Sequence, residues 1–139
     1  MATTLEKIYN SGLRFLTPLS LEETYKLIIK EGIRLVKADH GSVLLEQNGE
    51  LKRVYASSPE FYKIKPRKRG FMFGVFQSHR PKILSIKSVV KIHPQVKSLN
   101  IRSDLIVPIS NHNKTIGVLS FMSQQENFFS KKALLLYNM

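Results

Sequence analysis

Two hydrophobic periods divide this chain. After Ser20, the apolar positions Leu21, Tyr25, Ile28, Ile29, Ile33, Leu35 and Val36 recur at helical spacing. Ser20 is a good N-cap, and Glu23 follows three residues later as in a capping box. The pattern predicts a helix to about Lys37, with residues 38–41 as its exit. An earlier helix over residues 5–15, capped by Thr3 or Thr4, carries Leu5, Ile8, Tyr9 and Phe15 only loosely on one face. Thr17 and Pro18 break it. At Ser42 the period changes to that of a strand, over residues 42–47, with a partner over residues 51–57. Asn48 and Gly49 between them form a strong hairpin signal, because both tolerate positive φ. Of Ser42, Val43, Leu44 and Leu45, three are apolar, so this strand is expected to be covered on both faces.

Residues 58–70 show no period; Pro59 and Pro66 indicate a loop, with one helical turn near Glu60. Gly70 opens a short helix over residues 71–78, which His79, Arg80 and Pro81 end. A short strand follows over residues 82–86, then a further short helix over residues 89–99 around Pro94. Residues 103–110 and 115–123 read as two strands joined by residues 111–114. Pro108 should sit at an edge or a bulge, where no ladder donor is needed. Gly117 should allow close backbone approach. Ser130 caps a last helix from Lys131. Ala133 to Leu136 looks like the start of an apolar stripe, so this helix is expected to be cut short, with an effector domain beyond Met139. Two hairpins imply an α/β (α+β) fold. It has an antiparallel sheet of about five to six strands flanked by helices on both faces. The 139 residues are expected to form one domain, its core at 20–139.

Composition changes the picture in two ways. There is no cysteine, which excludes disulfides, thiolate metal sites and thiol chemistry. The net charge of +12 is concentrated in residues 61–103, which hold eleven Lys/Arg and no acid. No apolar run approaches a membrane span and no secretory signal opens the chain, so a cytoplasmic location without membrane association is the expectation.

Four strings, in order, resemble a GAF domain. The first is Ser20, Leu21, Glu22 and Glu23, with a helix ending at Ala38 and Asp39. The second is Gly41 to Leu45, then Gly49 to Leu51. The third is Gly70 to Val75, then Arg80 to Ile83. The fourth is Ile101 to Ile109, then Ile116 to Ser120. The resemblance covers about residues 20–139 and implies a PAS-related architecture.

This sequence departs from that pattern in places. Ser85, Ile86 and Lys87 offer no aspartate where the family often has one. Three bulky residues, Phe71, Met72 and Phe73, separate Gly70 from Gly74 where two residues are common. Members that bind a bilin or reduce methionine sulfoxide use cysteine, so neither a cysteine-linked chromophore nor that activity is expected. The signature of cyclic-nucleotide-binding members is missing. Haem through a histidine has no support, and no cofactor is required.

No enzyme is apparent in the residues. His40, His79, His93 and His112 lack metal-ligand spacing and fall in predicted turns, so no metal is expected. Glu22/Lys26 and Glu31/Arg34 are ordinary helix pairs. Gly70 and Gly74 are not followed by the Lys-Ser/Thr of a phosphate loop.

The resemblance implies a non-catalytic sensory or regulatory domain of a cytoplasmic signalling protein, pairing into a homodimer through its terminal helices. Its ligand-binding candidates are Ser42, Tyr55, Phe73, Phe76, Ser85 and Ser103. A basic lid of Lys65, Arg67, Lys68, Arg69, Arg80 and Lys82 would suit a small anionic ligand. The bland reading fills the same space with Tyr55, Phe71, Phe73 and Phe76 as core. The competing class is a basic module for nucleic acid or an acidic protein partner, with no pocket. Specific nucleic-acid binding is disfavoured, because nothing resembles a helix-turn-helix or an RNA-binding sheet motif.

Overall fold

The computed structural model describes residues 20–64, 70–85, 100–125 and 128–129. The expected helices over residues 5–15, 89–99 and from Ser130 onward, and with them the terminal dimer surface, lie outside these.

The first described helix, α1, spans Leu21–Val36. The Ser20 hydroxyl accepts from the Glu23 amide at 3.1 Å, as the capping pattern predicts. Lys37 closes the helix in the left-handed conformation, φ 58°. Ser20→Ala is expected to cost about 1 kcal/mol, read by urea unfolding, because it strands one of the first-turn amides. Glu31 pairs with Arg34 at 2.8 Å on the exposed side, a contact worth little. No Glu22/Lys26 ion pair forms among the described residues.

Strand β1 (His40–Gln47) turns through Asn48 and Gly49, φ 53° and 83°, into β2 (Glu50–Ala56). β1 begins two residues earlier than its local pattern suggests, because His40 and Gly41 pair with Met122 and Phe121 far along the chain. His40 is therefore a strand residue rather than a turn residue. A 3-10 turn at Pro59–Lys63 fulfils the helical turn expected near Glu60. Helix α2 (Phe71–Ser78) has Gly70 as N-cap and ends at left-handed His79. Strand β3 (Lys82–Ser85) follows. Strands β4 (Ser103–Asn111) and β5 (Lys114–Ser123) meet at a two-residue turn, tighter than the four-residue connection expected. His112 and Asn113 both take positive φ there, so the turn closes without glycine.

The five strands form one antiparallel sheet in the order β2-β1-β5-β4-β3. The expected architecture is thus present: an α+β fold with helices on both faces. Side chains alternate across the sheet. One set, including Val43, Leu105, Leu119 and Phe121, packs on Ile28 and Ile29 of α1. The other, including Leu44, Ile106, Val118 and Met122, packs under Phe61, Ile64 and Val75 of the 3-10 turn and α2. Pro108 lies beyond the end of β3, whose partners on β4 are residues 103–106, and next to a bulge at Ile109/Ser110. That is the setting expected of a strand proline.

Candidate functional site

Among the described residues, the buried part of the sheet face under α2 is apolar except for one polar band, with Lys82 and His40 at its margins. Alternation along β4 puts Asp104 there, between Leu84 of β3 and Met122 of β5, which are its cross-strand partners. Ser120 is two residues before Met122 on β5, and it pairs with Ser42 on β1. Arg53 of β2 lies opposite Leu44. Asp104, Ser120, Ser42 and Arg53 thus cross β4, β5, β1 and β2 on one face.

Ser42, Ser120 and Asp104 are buried, and Arg53 is half-buried. Ser42 and Ser120 have no exposed surface, and Asp104 retains 6%. The Ser120 hydroxyl donates to Asp104 Oδ1 at 2.8 Å. Burial is the main influence on the Asp104 carboxyl and pushes it up to about 7. The Ser120 hydrogen bond and the Arg53 charge act against that rise. Arg53 donates from Nη1 to the Phe61 carbonyl at 3.2 Å. Burial works against its charge, and Asp104 chiefly supports it. Two buried polar atoms, Ser42 Oγ and Arg53 Nε, have no hydrogen-bond partner among the described residues. A buried unpartnered polar atom costs on the order of 1–3 kcal/mol, so such atoms are uncommon and call for an explanation.

The structure does not gather the six sequence-predicted ligand candidates. Ser42 lies in the polar band, and Phe73 and Phe76 are half-buried on α2 over the same face, ring centroids 5.8 Å apart. Tyr55 packs instead with the α1 cluster. A bulge between Val43 and Leu44 adds a residue to β2, and this reverses the facing of Tyr55 relative to Arg53. Ser85 and Ser103 are paired with each other and alternate with Leu84 and Asp104, which places them on the α1 face as well. The Ser103 hydroxyl donates to the Gln125 carbonyl at 2.9 Å. Of the basic lid, Lys65, Arg67, Lys68 and Arg69 lie outside the described residues. Arg80 is exposed just after α2. Lys82 places its ammonium 4.5 Å from the centre of the Phe71 ring. Two of the histidines have side-chain contacts of their own: His79 Nδ1 meets Thr115 Oγ1, and His40 stacks edge-on against Phe61.

Asp104, Ser120 and Arg53 were not among the sequence candidates. A signal for Asp104 exists: it and Glu126 are the only acids after Glu60, and Asp104 interrupts an apolar strand.

The profile of the GAF domain matches residues 18–136. The chain therefore belongs to the GAF domain family. Among solved structures, it is similar to the GAF domain of a two-component sensor histidine kinase from Bacillus halodurans. That likeness has 21% identity and a TM-score of 0.61 over 78% of this chain and 85% of that one. The GAF domain of a phosphoenolpyruvate-protein phosphotransferase from Coxiella burnetii is similar at 16% identity and TM-score 0.73, over 95% and 84% of the two chains. A type II free methionine-R-sulfoxide reductase from Thermoplasma acidophilum shares the fold at 16% identity and TM-score 0.64, over 85% and 87%. These identities speak for the fold alone. No curated protein matches in sequence. No helix among the described residues is long and apolar enough to cross a membrane.

Proposed function

We propose that this GAF domain is a non-catalytic sensory module of a cytoplasmic signal-transduction protein. It takes a small ligand on the α2 face of its sheet and passes occupancy to its terminal segments, through which two copies pair. The observation that carries the reading is the buried polar band on that face, with Ser42 Oγ and Arg53 Nε unpartnered among the described residues. Family membership supports it, as does the occurrence of similar domains in a sensor histidine kinase and a phosphotransferase. The basic residues of the 61–103 stretch would then steer and cover the ligand.

The test is thermal unfolding of the purified protein with and without a low-molecular-weight cellular extract. Binding to the native state raises the melting temperature by mass action. An unchanged melting temperature with extracts from varied growth conditions overturns the reading.

One observation favours a second reading, the segregation of eleven cations into residues 61–103. As a basic interaction module, the chain would bind DNA or RNA with an affinity falling steeply with salt. A slope near zero excludes several phosphate contacts.

A further inference from the structure

The polar band has a definite chemical polarity. At one end Asp104 receives one hydrogen bond, at Oδ1 from Ser120, and no other from the described residues. A carboxylate has about four acceptor sites, so most of its capacity is unused. At the other end Arg53 spends Nη1 on the Phe61 carbonyl and leaves buried Nε without a partner among the described residues. The Nε edge of a guanidinium is a bidentate site for a carboxylate. Between the ends lie Ser120 and Ser42, the latter with its hydroxyl unpartnered.

The two charges influence each other, yet no ion pair joins them among the described residues. A cation on Asp104 would leave Arg53 uncompensated, and an anion on Arg53 would leave Asp104 either protonated or buried with its charge uncompensated. A ligand carrying both charges compensates both ends at once. Beside the band the face presents Leu44, Ile106 and Val118 under the half-buried rings of Phe73 and Phe76.

We propose that the ligand is a compact zwitterion of the amino-acid type with an apolar side chain. Its ammonium sits on Asp104, its carboxylate on the Nε edge of Arg53, and the Ser42 hydroxyl joins the carboxylate. This rests on the ligand-sensing reading above and narrows the anionic class suggested by the basic stretch alone.

Proton linkage separates the zwitterion from a simple anion. An ammonium favours the ionised form of Asp104, so its binding weakens as pH falls below about 7. A simple anion prefers the protonated carboxyl and binds more tightly as pH falls. Other described charged or titratable groups near this face are Arg53 from β2, Lys82 from β3, His40 from β1 and Tyr62 from the 3-10 turn. Repeating the profile on Asp104→Asn isolates the carboxyl from these.

The experiment is calorimetric titration of the chain with the common L-amino acids. Each binder is then compared with the same skeleton lacking its ammonium and with the amine lacking its carboxylate. One or more apolar amino acids are expected to bind, and neither truncated analogue to match them. Asp104→Asn and Arg53→Lys should each weaken binding about tenfold or more, the worth of one charge-assisted hydrogen bond. Binding by the carboxylic acid alone, or wild-type affinity in Asp104→Asn, overturns the proposal. If no amino acid binds but the cellular extract still stabilises the protein, the zwitterion class falls and ligand sensing stands. If neither acts, both fall.

Discussion

Gly117→Ala should destabilise the domain by about 3 kcal/mol or more and lower its melting temperature by about 10 °C. An added Cβ at this position would lie 2.2 Å from the Leu44 carbonyl oxygen and 2.8 Å from Leu45 Cδ2. The first of these is a backbone atom of the neighbouring strand, so it cannot yield as a flexible side chain does. The position makes the clash expensive. Among the described strands, the β1–β2 hairpin joins the β5–β4–β3 half of the sheet along the β1–β5 ladder. Gly117 pairs with Leu45 within that ladder, so relief requires the two halves to part locally and gives up ladder bonds beside the clash. The comparison is Gly74→Ala. Gly74 lies inside α2 and has nothing within 4 Å of an added Cβ. There alanine is expected to stabilise by about 0.5–1 kcal/mol, the intrinsic helix preference over glycine. Urea unfolding of the two variants should show midpoints shifted in opposite directions with similar slopes. A Gly117→Ala midpoint within error of the parent would refute the close-approach account.

That glycine was legible from its place in the strand pattern, and so was most of the fold. The α1 cap, both hairpins, the 3-10 turn and α2 follow from local signals: Ser20 with Glu23, Asn48 with Gly49, Pro59 and Gly70. What escaped depends on partners distant in sequence or on turn residues that carry no local cue. The start of β1 at His40 is set by pairing with Met122. The tight turn at His112 and Asn113 uses non-glycine residues at positive φ, so it carried no glycine cue.

The site was less legible because strand facing has a period of two, and one irregularity inverts it. The bulge at Val54 turns Tyr55 toward α1 while Arg53 stays on the other face. Ser103 and Asp104 are neighbours in sequence but lie on opposite sides of β4. Asp104 directly follows the acid-free stretch of residues 61–103, whose cations are the louder signal. A lone acid between apolar strand residues is a physical signal in its own right. It must be either solvated or partnered, and in a strand with neighbours on both edges solvation is hard to arrange.

Asp104→Asn should stabilise the ligand-free protein at pH 8 and remove most of a pH dependence that the parent shows between about pH 4 and 7. An unfolded aspartate titrates near pH 4, whereas folding raises this carboxyl to about 7. Between those values the native state holds a proton that the unfolded state has lost, so stability falls as pH rises through the interval. Above about 7 both states are ionised, and the burial cost is felt in full. Holding the carboxyl protonated from about pH 4 to about 7 corresponds to about 4 kcal/mol, an upper figure because the buried charge can relax its surroundings. Asparagine keeps an amide oxygen that can accept from Ser120, and it carries no charge to desolvate. The parent should therefore melt higher at pH 5 than at pH 8 by several degrees more than the variant does, with other carboxylates contributing equally to both. Equal pH dependence in the two proteins would mean that Asp104 is ionised and well compensated throughout. A bound zwitterion should have the same effect on the parent, since an ammonium on Asp104 supplies the missing compensation. In saturating ligand, the stability difference between pH 5 and pH 8 should shrink. The stability profile thus reports on the same carboxyl from the unliganded side, independently of any titration with amino acids.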